Sequence, residues 1–151
     1  LAEREDLSPA AVMDILNSQS GVFGISGISG DFRDLLKAAR EGNERATLAL
    51  DVFTYSIAKG IGSLLPTLEG LDALVFTAGI GENSPDIRRR ICRRLACFGI
   101  ALDDGKNALA RTETDVATPQ SRVRIYVIPT DEERMIARET RKLIDPGREP
   151  G

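Results

Sequence analysis

Three short stretches of the chain carry residue types from which a phosphate or nucleotide site can be built. The first is Leu71 to Ser84, LDALVFTAGIGENS, an apolar run that enters glycines at 79 and 81 and ends where a helix can begin. Ser84 suits the N-cap and Pro85 the first helical position, where a missing N–H costs nothing. A strand, a glycine turn and a helix N-terminus together bring backbone N–H groups up to a phosphorylated ligand. Gly79 and Gly81 lack a Cβ, so they can take positive φ and let a ligand lie against the backbone. A plain strand-to-helix turn with no ligand uses the same residues. Two familiar nucleotide motifs do not fit: GxGxxG needs glycine where Ser84 stands, and GxxxxGK[ST] needs a lysine that never follows.

The second stretch is Asp31-Phe32-Arg33-Asp34, delivered by the glycine-rich GVFGISGISG. An arginine can pair with phosphate or stack on a base, a phenylalanine can cover a ring, and a carboxylate can accept from ribose hydroxyls. Acidic residues in a first helical turn also complement the helix dipole without any ligand. A protein-kinase DFG triplet is not present, because position 33 is arginine and neither HRDxxxxN nor VAIK accompanies it. The third stretch follows RVRIYVI at 122–128, a strand stopped by Pro129. Thr130-Asp131-Glu132-Glu133 then opens the last helix, and Thr130 with Glu133 fits a capping box. That leaves Glu132 free, at a strand's C-terminal edge, to hold Mg²⁺ directly or through water.

The elements that must position these residues can be read from periodicity. Ser8 caps a short helix over PAAVMDILN, with Val12, Ile15 and Leu16 on one face. Residues 21–30 read as a turned loop, packed down by Val22, Phe23, Ile25 and Ile28. A helix runs from the Asp31 region to about Arg40. Asn43 to about Leu65 is the longest periodic segment, with Ala46, Leu50, Phe53, Ile57, Ile61 and Leu64 at helical spacing and Val52 and Tyr55 widening the stripe. Pro85 to Phe98 is a helix with Ile87, Ile91 and Leu95 inward, ended by Gly99. Its other face holds Arg88, Arg89, Arg90, Arg93 and Arg94. These arginines suggest either a nucleic-acid surface or a solvated face that salt-bridges to a neighbour, and the net charge of −3 favours the second. Ile100 to Leu102 reads as a short strand and 103–120 as loop with one helical turn. Residues 146–151 read as a disordered tail.

Composition narrows the classes. At 151 residues the chain can bury one core, and with 42% hydrophobic and 28% charged residues it has no global pull toward nucleic acid or an anionic membrane. No apolar run is expected to approach the roughly 20 residues of a membrane span. Cys92 and Cys97, with no histidine in the chain, form neither a redox pair nor a zinc set. Cys92 is expected to pack as a small apolar residue and the chain to be cytoplasmic. The absence of histidine removes the commonest general base. With Leu1 opening a charged segment, it leads to the expectation of a piece of a larger protein.

Taken together, SGISGDFRDL, VFTAGIGENS and VIPTDEE resemble the C-terminal half of the acetate/propionate kinase family, in the same order and at plausible spacing. The resemblance runs from about Leu7 to Leu143. Gly30 stands where many relatives have serine. It implies an actin/sugar-kinase-like (ribonuclease H-like) α/β domain over residues 1–145, a mixed sheet with helices on both faces. It implies an adenosine pocket from Asp31, Phe32 and Arg33 and from Gly79, Ile80, Gly81, Glu82 and Asn83, with Glu132 associated with Mg²⁺. The implied reaction is acetate plus ATP to acetyl phosphate plus ADP, and the implied assembly a homodimer. The arginines, aspartate, histidine and acetate pocket that the family uses for transfer belong to its N-terminal half, which has no counterpart here. No catalytic residue is therefore assigned, and the chain alone is expected to be inactive. A non-catalytic dimerisation or interaction module is the alternative, and an RNA-binding fragment a third.

Overall fold

Local capping chemistry starts most of the helices. The computed structural model describes residues 7–144. Helix α1 is Pro9–Ser18, capped by the Ser8 hydroxyl, which accepts from the Ala11 N–H at 3.2 Å. The glycine-rich stretch expected as a loop instead forms α2, Gly21–Ser26, ended by Gly27 at φ 68°. Val22, Phe23 and Ile25 are half-buried, and this packing outweighs the poor helix propensity of two glycines. Helix α3 is Phe32–Arg40, with Asp31 as N-cap. Helix α4 is Glu44–Leu68, capped by Asn43, and it continues past the expected end through Pro66.

The strands are shorter than their apolar runs. β1 is Ala73–Phe76 and leads into a short helix α5, Ala78–Asn83, then α6, Pro85–Arg94. A single 3₁₀ turn, Ala96–Phe98, ends at Gly99 with φ 84°. Helix α7 is Asp104–Leu109, β2 is Thr114–Asp115, β3 is Arg124–Val127 and α8 is Glu132–Ile144. The strand expected at 100–102 is reduced to one bridge, Leu102 with Ala117. The expected tail at 146–151 lies outside the described residues.

The sheet is mixed, in the order β1-β3-β2. β1 and β3 run parallel, with Leu74 opposite Ile125 and Phe76 opposite Val127, and β2 pairs antiparallel to β3. Strand alternation sends those four side chains to one face, all at most 9% exposed. They join Leu35, Leu50, Ile87, Ile91 and Leu95 in a single core. Cys92 lies in it as expected, 2% exposed, and burial pushes its thiol up to about 12.

Helix α4 has the length and, at a mean hydropathy of 1.3, the composition of a membrane span. It is amphipathic, however. Ala46, Leu50 and Thr54 are fully buried against the body, whereas Leu48, Val52 and Tyr55 are 39–56% exposed. Leu64 and Leu68 continue the buried stripe beyond the core and are each 59% exposed.

Candidate functional site

The segment that follows β1 and the start of α3 meet around a cleft of about 480 Å³. Gly30, Asp31, Phe32, Arg33 and Leu36 line one wall; Gly79, Ile80, Asn83 and Ser84 line the other. Six of the eight candidate nucleotide residues therefore come together from two stretches almost 50 residues apart. Gly81, Glu82 and Glu132 do not line it. Leu36, Gly30 and Ser84 were not among the candidates. Leu36 was within reach of sequence reasoning, because it lies one helical turn after Phe32 on the same face.

The α3 wall is organised locally. The Asp31 carboxylate accepts from the Arg33 N–H at 2.8 Å and from Arg33 Nη2 at 2.5 Å. These bonds hold the Asp31 carboxyl at about 2, below its ordinary 3.8. Ser29 accepts from the Asp31 N–H and donates to Asp34 at 2.8 Å, which fixes the chain as it enters the helix. The Phe32 ring lies 4.4 Å from that of Phe53, tilted by 55°, and so anchors this wall to α4. Arg33 remains 90% exposed and free to exchange its partner.

The other wall departs from the expected glycine turn. Positive φ falls on Ala78, at 55°, and not on the glycines: Gly79 has φ 4° and ψ −92°, a break inside α5. Gly81 is helical, and a Cβ there would meet Phe76 of β1 at 3.5–3.7 Å, an ordinary contact. Ser84 does cap α6, accepting from the Ile87 N–H at 3.4 Å. The Asn83 amide donates to the Gly79 carbonyl at 2.8 Å and closes the segment on itself.

Glu82 spends its carboxylate inside the protein. It accepts from both the N–H and the hydroxyl of Thr130, at 2.7 and 2.9 Å, and these bonds hold its pKa down. Thr130 is therefore not the cap of α8, and the expected capping box with Glu133 is overturned. Asp131 is the cap, accepting from the Arg134 N–H at 3.0 Å. The clasp brings the loop that carries Glu132 against α5. Glu132 lies in the first turn of α8 with its carboxylate exposed, beside a separate hollow shared with Met135 and Ile136.

The arginine face is also corrected. Arg89 pairs with Asp86 and Asp104, Arg90 and Arg94 pair with Asp51, and Arg94 stands 5.8 Å over the Tyr55 ring. Those three are the expected salt-bridged surface. Arg88 is instead fully buried, at 0% exposure. Its helical phase was the available signal, since it falls in line with Ser84, Ile91 and Leu95. Arg40 bonds Asp86 at 2.7 Å and so joins α3 to α6 across the back of the cleft.

A strand-to-helix segment facing the head of a second helix, over a mixed parallel and antiparallel sheet, defines an α/β domain of the sugar-kinase-like class. Residues 1–138 match the model of the acetokinase family, and the chain belongs to that family. It is 52% identical over 143 residues to an acetate kinase of Methanosarcina barkeri and 50% identical over 145 to one of Methanosarcina thermophila. Those alignments cover 95% and 96% of this chain but 35% and 36% of the relatives. The fold superposes on Porphyromonas gingivalis acetate kinase with a TM-score of 0.85 at 41% identity, covering 95% of this chain and 36% of that one. A propionate kinase from Francisella tularensis gives 0.82 at 39%, over 91% of this chain and 35% of its own. The chain thus spans about a third of the length of the relatives it matches.

Proposed function

We propose that this chain is the nucleotide-binding part of an ATP-dependent kinase of short carboxylates, whose reaction is acetate plus ATP to acetyl phosphate plus ADP. The carrying observation is that Asp31, Phe32 and Arg33 share one cleft with Gly79, Ile80 and Asn83, at a volume of about 480 Å³, within the range of small-molecule sites. In this reading Phe32 covers the base, Asp31 accepts from ribose hydroxyls and Arg33 pairs with phosphate or stacks. The backbone of residues 79–83 lies against the nucleotide. Gly81 and Glu82 contribute by shaping that backbone, since the Glu82 carboxylate is held by Thr130. Relatives named as acetate and propionate kinases leave the acyl group as a short carboxylate.

Glu132 is the carboxylate we assign to Mg²⁺. Among the described residues no three Asp, Glu, His or Cys side chains gather to hold an ion by themselves. One exposed carboxylate in the first turn of α8, on the loop that Thr130 ties to Glu82, suits a cation that keeps most of its coordination to phosphate and water. When bound, Mg²⁺ supplies charge neutralisation at the β- and γ-phosphates, the main requirement of phosphoryl transfer. No group of this chain is assigned to the acyl substrate or to catalysis. Calorimetric titration with ADP and Mg²⁺ is expected to give weak, saturable binding, and a hydroxamate assay no acetyl phosphate. Absence of binding, or acetyl phosphate above background, would overturn the reading.

Association as a homodimer is part of the same proposal. Its support is the stripe of Leu48, Val52 and Tyr55, exposed along one side of α4 while the other side forms core. Light scattering is expected to give a dimer, and a monodisperse monomer at high concentration contradicts it.

A further inference from the structure

Arg88 is the largest of the fully buried side chains, and its hydrogen-bond partners include no carboxylate. Its Nη1 donates to the carbonyls of Gly81 and Glu82, at 2.8 and 2.6 Å. Nε donates to the Asn107 side-chain oxygen at 2.7 Å and Nη2 to the Asn107 carbonyl at 2.8 Å. The Asn107 amide in turn donates to the Pro85 carbonyl at 2.9 Å, and Asn107 is itself fully buried. A buried cation without a counter-ion is costly unless fixed dipoles surround it, and here they are the last carbonyls of α5. Those carbonyls have no partner within so short a helix, and a cation at a helix C-terminus complements its dipole.

We infer that Arg88, held by Asn107, is a positioning residue that sets α5 as one wall of the nucleotide cleft. The inference rests on the nucleotide reading given above. Arg88 touches no cleft surface; it acts from behind, through the Gly81 and Glu82 carbonyls. It bonds three elements at one point: α5, α6 and, through Asn107, α7. Glu82 anchors the same segment from its outer side through Thr130. Lysine cannot replace the planar fork, because one ammonium cannot reach both pairs of acceptors at once.

The test uses Arg88→Lys and Asn107→Ala in the full chain, well below their unfolding midpoints. Arg88→Lys is expected to weaken ADP binding at least about tenfold and to speed amide exchange at 79–84 by a similar factor, while amides of α4 exchange as before. Asn107→Ala removes one acceptor of Arg88 and the bond to Pro85, so it should act in the same direction and less strongly. It keeps the test open where Arg88→Lys does not fold. Unchanged ADP affinity in a variant with a loosened 79–84 segment would overturn the inference, and so would exchange that rises uniformly across all helices. If the unaltered chain itself fails to bind ADP, the nucleotide reading falls. The exchange comparison between 79–84 and α4 then still judges whether Arg88 sets that segment.

Discussion

The two walls of the cleft are built by opposite means. The α5 wall is held by groups from distant parts of the chain: Arg88 with Asn107 behind it and Thr130 at its side, the last 48 residues from Glu82. The α3 wall is held by neighbours, with Asp31 capping its own helix and Ser29 bonded to Asp34 five residues on. Its longer-range anchors are side-chain contacts: Phe32 on Phe53, Leu35 in the core and the exposed Arg40 on Asp86. The first wall is tied from behind and from the side before any ligand arrives. The second is exposed, and its ion pair can exchange partners at little cost, as surface pairs contribute little to stability. A nucleotide would therefore find one rigid surface and one adjustable surface.

The largest expected effect comes from removing the ring anchor of the adjustable wall. Phe32→Ala should lose about 2 kcal/mol, the ring being half-buried and paired, and should weaken ADP binding. Amides 79–84 should keep their protection. If they loosen together with α3, the two walls behave as one cooperative unit. A smaller effect belongs to the cap next to Thr130. Asp131→Ala should cost about 1 kcal/mol, whereas Glu133→Ala should leave the thermal midpoint nearly unchanged. The reverse result would restore the Thr130–Glu133 capping box and undo the Glu82 clasp.

The smallest effect on stability sharpens the contrast most. Arg33 is exposed and paired only within its own loop, so Arg33→Ala should lower the midpoint only slightly while weakening ADP binding. The Asp31 carboxyl is held at about 2, below 3.8, mainly by the Arg33 side chain. A depressed carboxyl favours the folded state above its ordinary value, and the benefit is lost as pH falls through about 2. Carbon-detected titration should find Asp31 near 2 in the unaltered chain and closer to the ordinary carboxylate range in Arg33→Ala. An unshifted Asp31 in both would deny the pair.

What could be read from the sequence follows the same division. Ser8, Asn43 and Ser84 act within three residues of themselves, so their helix starts were legible, as was the stripe of α4. The order of cleft residues was legible too, because each wall is a contiguous run. The failures are long-range. The Thr130–Glu133 capping box was acceptable locally, but Glu82, 48 residues away, takes Thr130 and leaves Asp131 as the cap of α8. Arg88 looked like one of five surface arginines, although its phase matched the buried face; its partner lies 19 residues away. Ala78, not a glycine, takes the left-handed backbone at the end of β1, which residue type alone would not suggest.

In the proposed function, one cleft between these walls receives an adenine nucleotide. Amide hydrogen exchange of the chain with and without saturating ADP and Mg²⁺ tests it most directly. Added protection is expected at 30–36 and at 79–84, larger at 30–36 because the α5 wall is already fixed, with no change along the Leu48–Tyr55 side of α4. Saturable binding that protects neither stretch would contradict it.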